Sequence, residues 1–197
     1  MQSFLDQPAG ILKRLKASTS QLHERAERRL QIFSSEFDLP AYTRLLTRFY
    51  GFWSPLEVEL RKVSELSGSS LALDRRLKAH LLEADLRVFG IDPAVVSQCD
   101  RIPDVQTFSR ALGCLYVVEG STLGAQFIAR HLSEKFQIGR YSGGAFFCAY
   151  EGEVIQRWSD FRAFLILHAN TERDDEILSA ARDTFEALDE WLSPLNG

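Results

Sequence analysis

Four side chains early in the chain, Lys16, Ser20, His23 and Glu27, are separated by four, three and four residues. On a helix that spacing puts all four on one face. An imidazole with a carboxylate one turn further on suits a metal ligand whose second ring N–H is held by an acid, directly or through water. Lys16 stands two turns before His23, roughly 10 Å along the axis. There a cation meets an acidic group at the edge of a molecule centred on the histidine. Taken singly, a helical histidine is more often structural, and Lys16 and Glu27 read as solvated charges; their shared face is the sharper signal. A second feature lies in the apolar run from Leu112 to Ala129, which contains Gly120 and Gly124. Each glycine inside a helix costs about 1 kcal/mol relative to alanine, and the four-residue spacing bares one strip of backbone. Two uses fit such a strip: a tight helix–helix crossing, or a bent helix lying over a planar cofactor.

The elements that must carry these residues read as helices throughout. Residues 1–10 form a tail ending at Pro8-Ala9-Gly10, and a domain follows over 11–197. Leu12, Leu15, Thr19, Leu22, Ala26 and Leu30 make the apolar stripe of a first helix. Asp38-Leu39-Pro40 opens a second, with Leu45, Phe49, Phe52, Trp53 and Leu56 inward and Pro55 as a kink. Ser67-Gly68-Ser69-Ser70 is a break, and a third helix is expected over roughly 72–88. The glycine-bearing helix runs from just after Pro103-Asp104 to about 136, followed by a loop over 139–144. A fifth helix covers about 151–168. Thr171-Glu172-Arg173-Asp174 resembles a capping box before a last helix with Ile177, Ala181, Phe185, Leu188 and Leu192 on one stripe. Alternating strand patterns are essentially absent, so the fold class is all-α. Phe49, Phe52 and Trp53 read as core, whereas Phe161, Phe164 and Phe185 suit either core or pocket wall. The other histidines take structural readings: His80, among Arg76, Lys78 and Glu83, on a solvated helix, and His131 and His168 near helix ends.

Bulk properties narrow the class. The 197 residues are 45% apolar and 25% charged, with a net charge of -4, which suits one globular domain and offers nothing to nucleic acid. No apolar run of the ~18 residues of a membrane span is expected, nor a signal peptide. Cys99, Cys114 and Cys148 are scattered, odd in number and without metal-ligand spacing; they read as reduced thiols of a cytoplasmic protein. A monomer is the default expectation.

A histidine ligand on one helix and a glycine-thinned helix facing it form a sandwich for a flat metallocycle such as haem, with the sixth iron position open toward Gly120 and Gly124. No Cys-x-x-Cys-His attachment motif is present, which argues against covalent haem. With these motifs in view, the chain resembles the haem oxygenase family, most closely its bacterial biliverdin-producing branch. Residues 15–27, LKASTSQLHERAE, resemble the family's proximal helix. His23 falls on its iron-ligating histidine and Glu27 on the acid that orients it. Residues 115–124, LYVVEGSTLG, resemble the bacterial distal helix, and residues 184–192 resemble the family's last helix. The likeness spans about residues 11–192.

The resemblance implies a helical bundle holding haem between a proximal and a kinked distal helix. It implies oxidative opening of haem to biliverdin, carbon monoxide and ferrous iron, with O2 and electrons from an external donor. Haem is then both cofactor and substrate. Gly120, Ser121 and Gly124 fall at the reacting side, and Lys16 and Tyr116 are the candidates for the haem propionates, ahead of Arg130. Many family members carry aspartate where this chain has Ser121, which leaves proton delivery to ordered water or to another group. A reductase or ferredoxin must dock near the haem edge. Supply of biliverdin to a bacteriophytochrome and release of iron from scavenged haem are both compatible with the resemblance, and likeness to the bacterial branch tilts toward the former. A haem carrier or sensor on the same scaffold, and a haem-free helical protein such as a thiaminase-like bundle, are the competing classes.

Overall fold

The computed structural model describes residues 7–63, 66 and 69–196. Six helices account for most of them: α1 (Gln7–Leu30), α2 (Leu39–Arg61), α3 (Ala79–Val88), α4 (Phe108–Phe136), α5 (Val154–His168) and α6 (Asp174–Leu192). No strand occurs among the described residues. The amphipathic stripes explain the packing. Ile11, Leu15 and Ala26 of α1 are buried against Ile177, Ala181, Phe185 and Leu188 of α6. The other side of α6 packs along α4, so α1 and α4 are tied together chiefly through α6. α2 packs on α3, and α5 touches both α1 and α4.

Local chemistry sets several boundaries. Asp38 caps α2 by accepting from the Ala41 N–H at 2.8 Å, with Pro40 in the first turn. Pro55 is accommodated without a break in the helix. Thr107 caps α4, and the helix ends where Gln137 turns left-handed, at φ 59°. α4 is long and apolar enough to cross a membrane by length and composition, but half of its most apolar window is buried inside the fold.

Three boundaries differ from the sequence expectation. Residues 7–10 already belong to α1, while residues 1–6 of the expected tail lie outside the described residues. The third helix is confined to Ala79–Val88, preceded by a 3-10 turn over Leu73–Arg75, because Glu57 takes up the free N–H groups at its start. The capping box expected at Thr171 does not form: α6 starts at Asp174 after Arg173 with no side-chain cap, and it is the Asn170 side chain that holds the preceding turn, accepting from the Glu172 and Arg173 N–H groups at 3.1 and 3.0 Å.

Candidate functional site

A cavity of about 880 Å³ opens between α1 and α4. Lys16, Ser20, His23 and Glu27 line it from α1, and Tyr116, Gly120, Ser121 and Gly124 line it from α4. Every site residue expected from sequence therefore borders one space. Phe49, Phe52 and Trp53 of α2 are buried core residues as expected, and they also line this cavity. Phe185 is a wall residue, whereas Phe161 and Phe164 are core. The volume lies toward the upper end of ligand sites in proteins.

On α1, His23 and Glu27 are both exposed at the cavity, with Nδ1 3.6 Å from the Glu27 Oε2. That separation is too long for a direct hydrogen bond. The Phe185 ring meets the imidazole edge-on, with centroids 5.8 Å apart. His23 is the only histidine among the lining residues, and among the described residues no three His, Cys, Asp or Glu side chains gather for a metal ion.

Across the cavity, the surroundings of the two glycines speak against a tight helix crossing. A methyl at Gly124 would meet nothing within 4 Å, and one at Gly120 would meet only the Trp158 ring, at 3.6 Å. Neither is required by a helix crossing. The crossing glycine of α4 is Gly113, where a methyl would drive into the Ile177 carbonyl oxygen and stand 2.9 Å from the Ala180 Cβ. Ser121 donates its hydroxyl to the Val118 carbonyl at 2.8 Å, and Thr122 donates to that of Glu119 at 2.6 Å. Both protons are committed to the helix backbone.

Lys16 and Arg162 are exposed cations of the lining. Tyr116, coupled to Arg162, is half-buried and rests against Trp158 with centroids 5.6 Å apart. Burial pushes the Tyr116 phenol up, against the opposing influence of the Thr19 hydroxyl and the Arg162 charge. It is thus a neutral donor at physiological pH. Arg130 plays no part here: it pairs with Glu134 at 2.8 Å on the surface. Arg162 and Trp158 were missed from sequence, although their four-residue spacing on α5 was a usable signal. Phe146 and Phe147 reach the cavity from the 139–150 connection, where no periodicity marks a face.

The largest correction concerns Arg76 and Lys78, expected on a solvated helix. They are 5% and 2% exposed. Both pair with Glu119, itself 1% exposed. Lys78 Nζ lies 2.8 Å from Glu119 Oε1, 2.7 Å from the Arg76 carbonyl and 3.2 Å from the Tyr150 hydroxyl. Burial alone would raise the Glu119 carboxyl; Lys78, Arg76 and Tyr150 outweigh that and hold it below the usual carboxylate range. His80, as expected, is exposed.

The fold and cavity together define an all-α protein with a ligand-sized, largely apolar space between two of its helices. Comparison with known proteins agrees. The haem oxygenase family model matches residues 9–193. The Pseudomonas aeruginosa haem oxygenase PigA is 26% identical over 181 residues, covering 91% of this chain and 90% of its own length. Among solved structures, the NO- and CO-bound haem oxygenase of Neisseria meningitidis superposes with a TM-score of 0.78 at 24% identity, over 94% of this chain and 91% of that one. Haem oxygenase 2 of Chlamydomonas reinhardtii, solved without haem, gives 0.72 at 16% identity, over 93% and 96%. The chain belongs to the haem oxygenase family and is an oxidoreductase that degrades haem.

Proposed function

We propose that this enzyme opens haem to biliverdin, carbon monoxide and ferrous iron, with His23 as the axial ligand of the substrate iron. The observation that carries the reading is the pairing of a single lining histidine with Gly120 and Gly124, which no protein neighbour needs, on the facing helix. With Nδ1 turned toward Glu27, Nε2 is the nitrogen left for iron, and a water between Nδ1 and the carboxylate would hold the ring in that orientation. The bound macrocycle and its iron supply the oxygen chemistry, using O2 and external electrons. The protein's own part is to seat haem, exclude bulk water and keep bare backbone at Gly120 and Gly124 on the reacting side. Lys16, Arg162 and Tyr116 suit the two propionates, as two cations and one neutral donor of the lining. Their placement sets how haem is rotated in the cavity, and hence which meso edge is opened. With Ser121 committed to its own helix, it acts as an acceptor for cavity water rather than as a donor.

The external donor is a reductase or ferredoxin docking at the haem edge, and a bacteriophytochrome is the receiver of biliverdin that the bacterial likeness favours. A cytoplasmic location fits the three free cysteines, with a monomer as the default state. The test is a haemin titration followed by an electron donor in air. A stoichiometric Soret band that decays into biliverdin absorbance supports the reading. A stable Soret band would indicate a carrier or sensor, and no band would overturn the assignment of His23. His23→Ala is expected to abolish turnover, and normal turnover in that variant would remove the axial role. Replacing Lys16 and Tyr116 together is expected to change the biliverdin isomer, and an unchanged isomer would remove their part in seating.

A further inference from the structure

The cavity wall contains one buried charge. Lys16, Glu24, Glu27 and Arg162 line the cavity at exposed positions, where solvent and salt screen them. Lys78 lines it as well but is 2% exposed. Its nitrogen has three acceptors, the Glu119 carboxylate, the Arg76 carbonyl and the Tyr150 hydroxyl, matching the three donors of an ammonium. Glu119 is not part of the wall. The carboxylate partner thus stands outside the wall to which Lys78 belongs, next to Gly120 in the chain.

Arg76 stands on the same carboxylate, so both buried cations contact Glu119. The other buried carboxylates nearby accept from backbone N–H groups. Glu57 accepts from those of Lys78 and Ala79 at the start of α3, and its charge couples to Lys78 and to Arg61. Asp85 accepts from the Ala145 and Phe146 N–H groups. Neither lines the cavity. Arg157, beside Tyr150, is paired with Glu153.

Resting on the reading of His23 as iron ligand, we propose that Lys78 makes the α4 side of the cavity anion-selective, so that small anions bind the haem iron there more tightly than apolar walls alone allow. The physical basis is that a charge in a low-dielectric wall acts over distances at which a surface charge is screened out. Across roughly 10 Å at an effective dielectric of about 20, one unit charge changes an anion's affinity by about tenfold. A neutral ligand feels almost none of this.

The test uses the ferric haem complex and azide, followed by the shift of the Soret band, with CO binding to the ferrous complex as the neutral control. Lys78→Met is expected to weaken azide by about tenfold with CO affinity unchanged, and Lys78→Arg to restore azide. Glu119→Gln removes the opposing charge and is expected to strengthen azide. A packing defect would move both replacements in the same direction and would shift CO as well; that pattern, or equal azide affinity across the Lys, Met and Arg forms, overturns the proposal. If Glu119→Gln does not fold, the Met and Arg pair still decides. Absence of a Soret band in the unmodified protein would overturn the haem-site reading itself, an outcome distinct from a bound haem indifferent to residue 78.

Discussion

The two halves of α4 use the same residue type for opposite ends. In the first half Gly113 is fully enclosed, and its missing side chain lets α6 approach until the Ile177 carbonyl and Ala180 lie against the helix. In the second half Gly120 and Gly124 have almost nothing near them, and residues 123–128 are at most half-buried. One glycine serves close packing, and the other two leave bare backbone on the cavity wall. The halves meet at Glu119, whose pairing with Arg76 and Lys78 anchors the helix where packing on α6 gives way to the cavity. A glycine in a helix is thus interpretable only when its would-be neighbours are known.

The largest test of this contrast is at the junction. Glu119→Ala leaves two buried cations without their partner and is expected to cost about 3–5 kcal/mol, read by urea unfolding. The acid limb sharpens it. The Glu119 carboxyl titrates below its usual range in the folded state, so its stabilisation is complete above the unfolded value of about 4.3. It is lost as the pH falls through the lower folded value. Glu119→Gln should flatten the loss of stability below about pH 4; an unchanged acid limb would show that the pair contributes nothing.

Next comes Gly113→Ala, expected to destabilise by about 3 kcal/mol through overpacking and to lower the midpoint of thermal unfolding by roughly 5–10 °C. Gly124→Ala has the opposite sign. In the haem-free protein it should stabilise by up to about 1 kcal/mol through helix propensity, while disturbing the haem spectrum. Equal and same-sign effects at 113 and 124 would break the comparison. The smallest effect is expected at the rim, where Lys16→Ala with Arg162→Ala should weaken haem binding only a few-fold, since exposed ion pairs contribute about 0.2–1 kcal/mol each. Haem titration measures it, and a loss of a hundredfold would place these cations in a drier setting than their exposure indicates.

How legible the molecule was depended on the range of the signal. His23 and Glu27 were readable together because their relation is one helical turn, and the stripes of α1 and α6 were readable for the same reason. Arg76 and Lys78 were misjudged because charge next to charge in sequence normally means solvent. Their burial depends on Glu119, about forty residues away, and on Tyr150, further still. No local pattern encodes a partner at that separation. Phe146 and Phe147 were invisible for a related reason, since an irregular connection has no periodic face.

By itself, then, the sequence determined the all-α class, the α1 face that carries His23, the extent of α4 and the positions of its glycines. Each of these follows from spacing against the 3.6-residue turn and from the propensities of single residues. Only the tertiary structure decided which glycine packs and which lines the cavity, which charges are buried, and that Arg162 joins Lys16 in the cavity lining. Those outcomes rest on the distance between atoms far apart in the chain, and burial converts that distance into energy by removing water from around a charge or a methyl group.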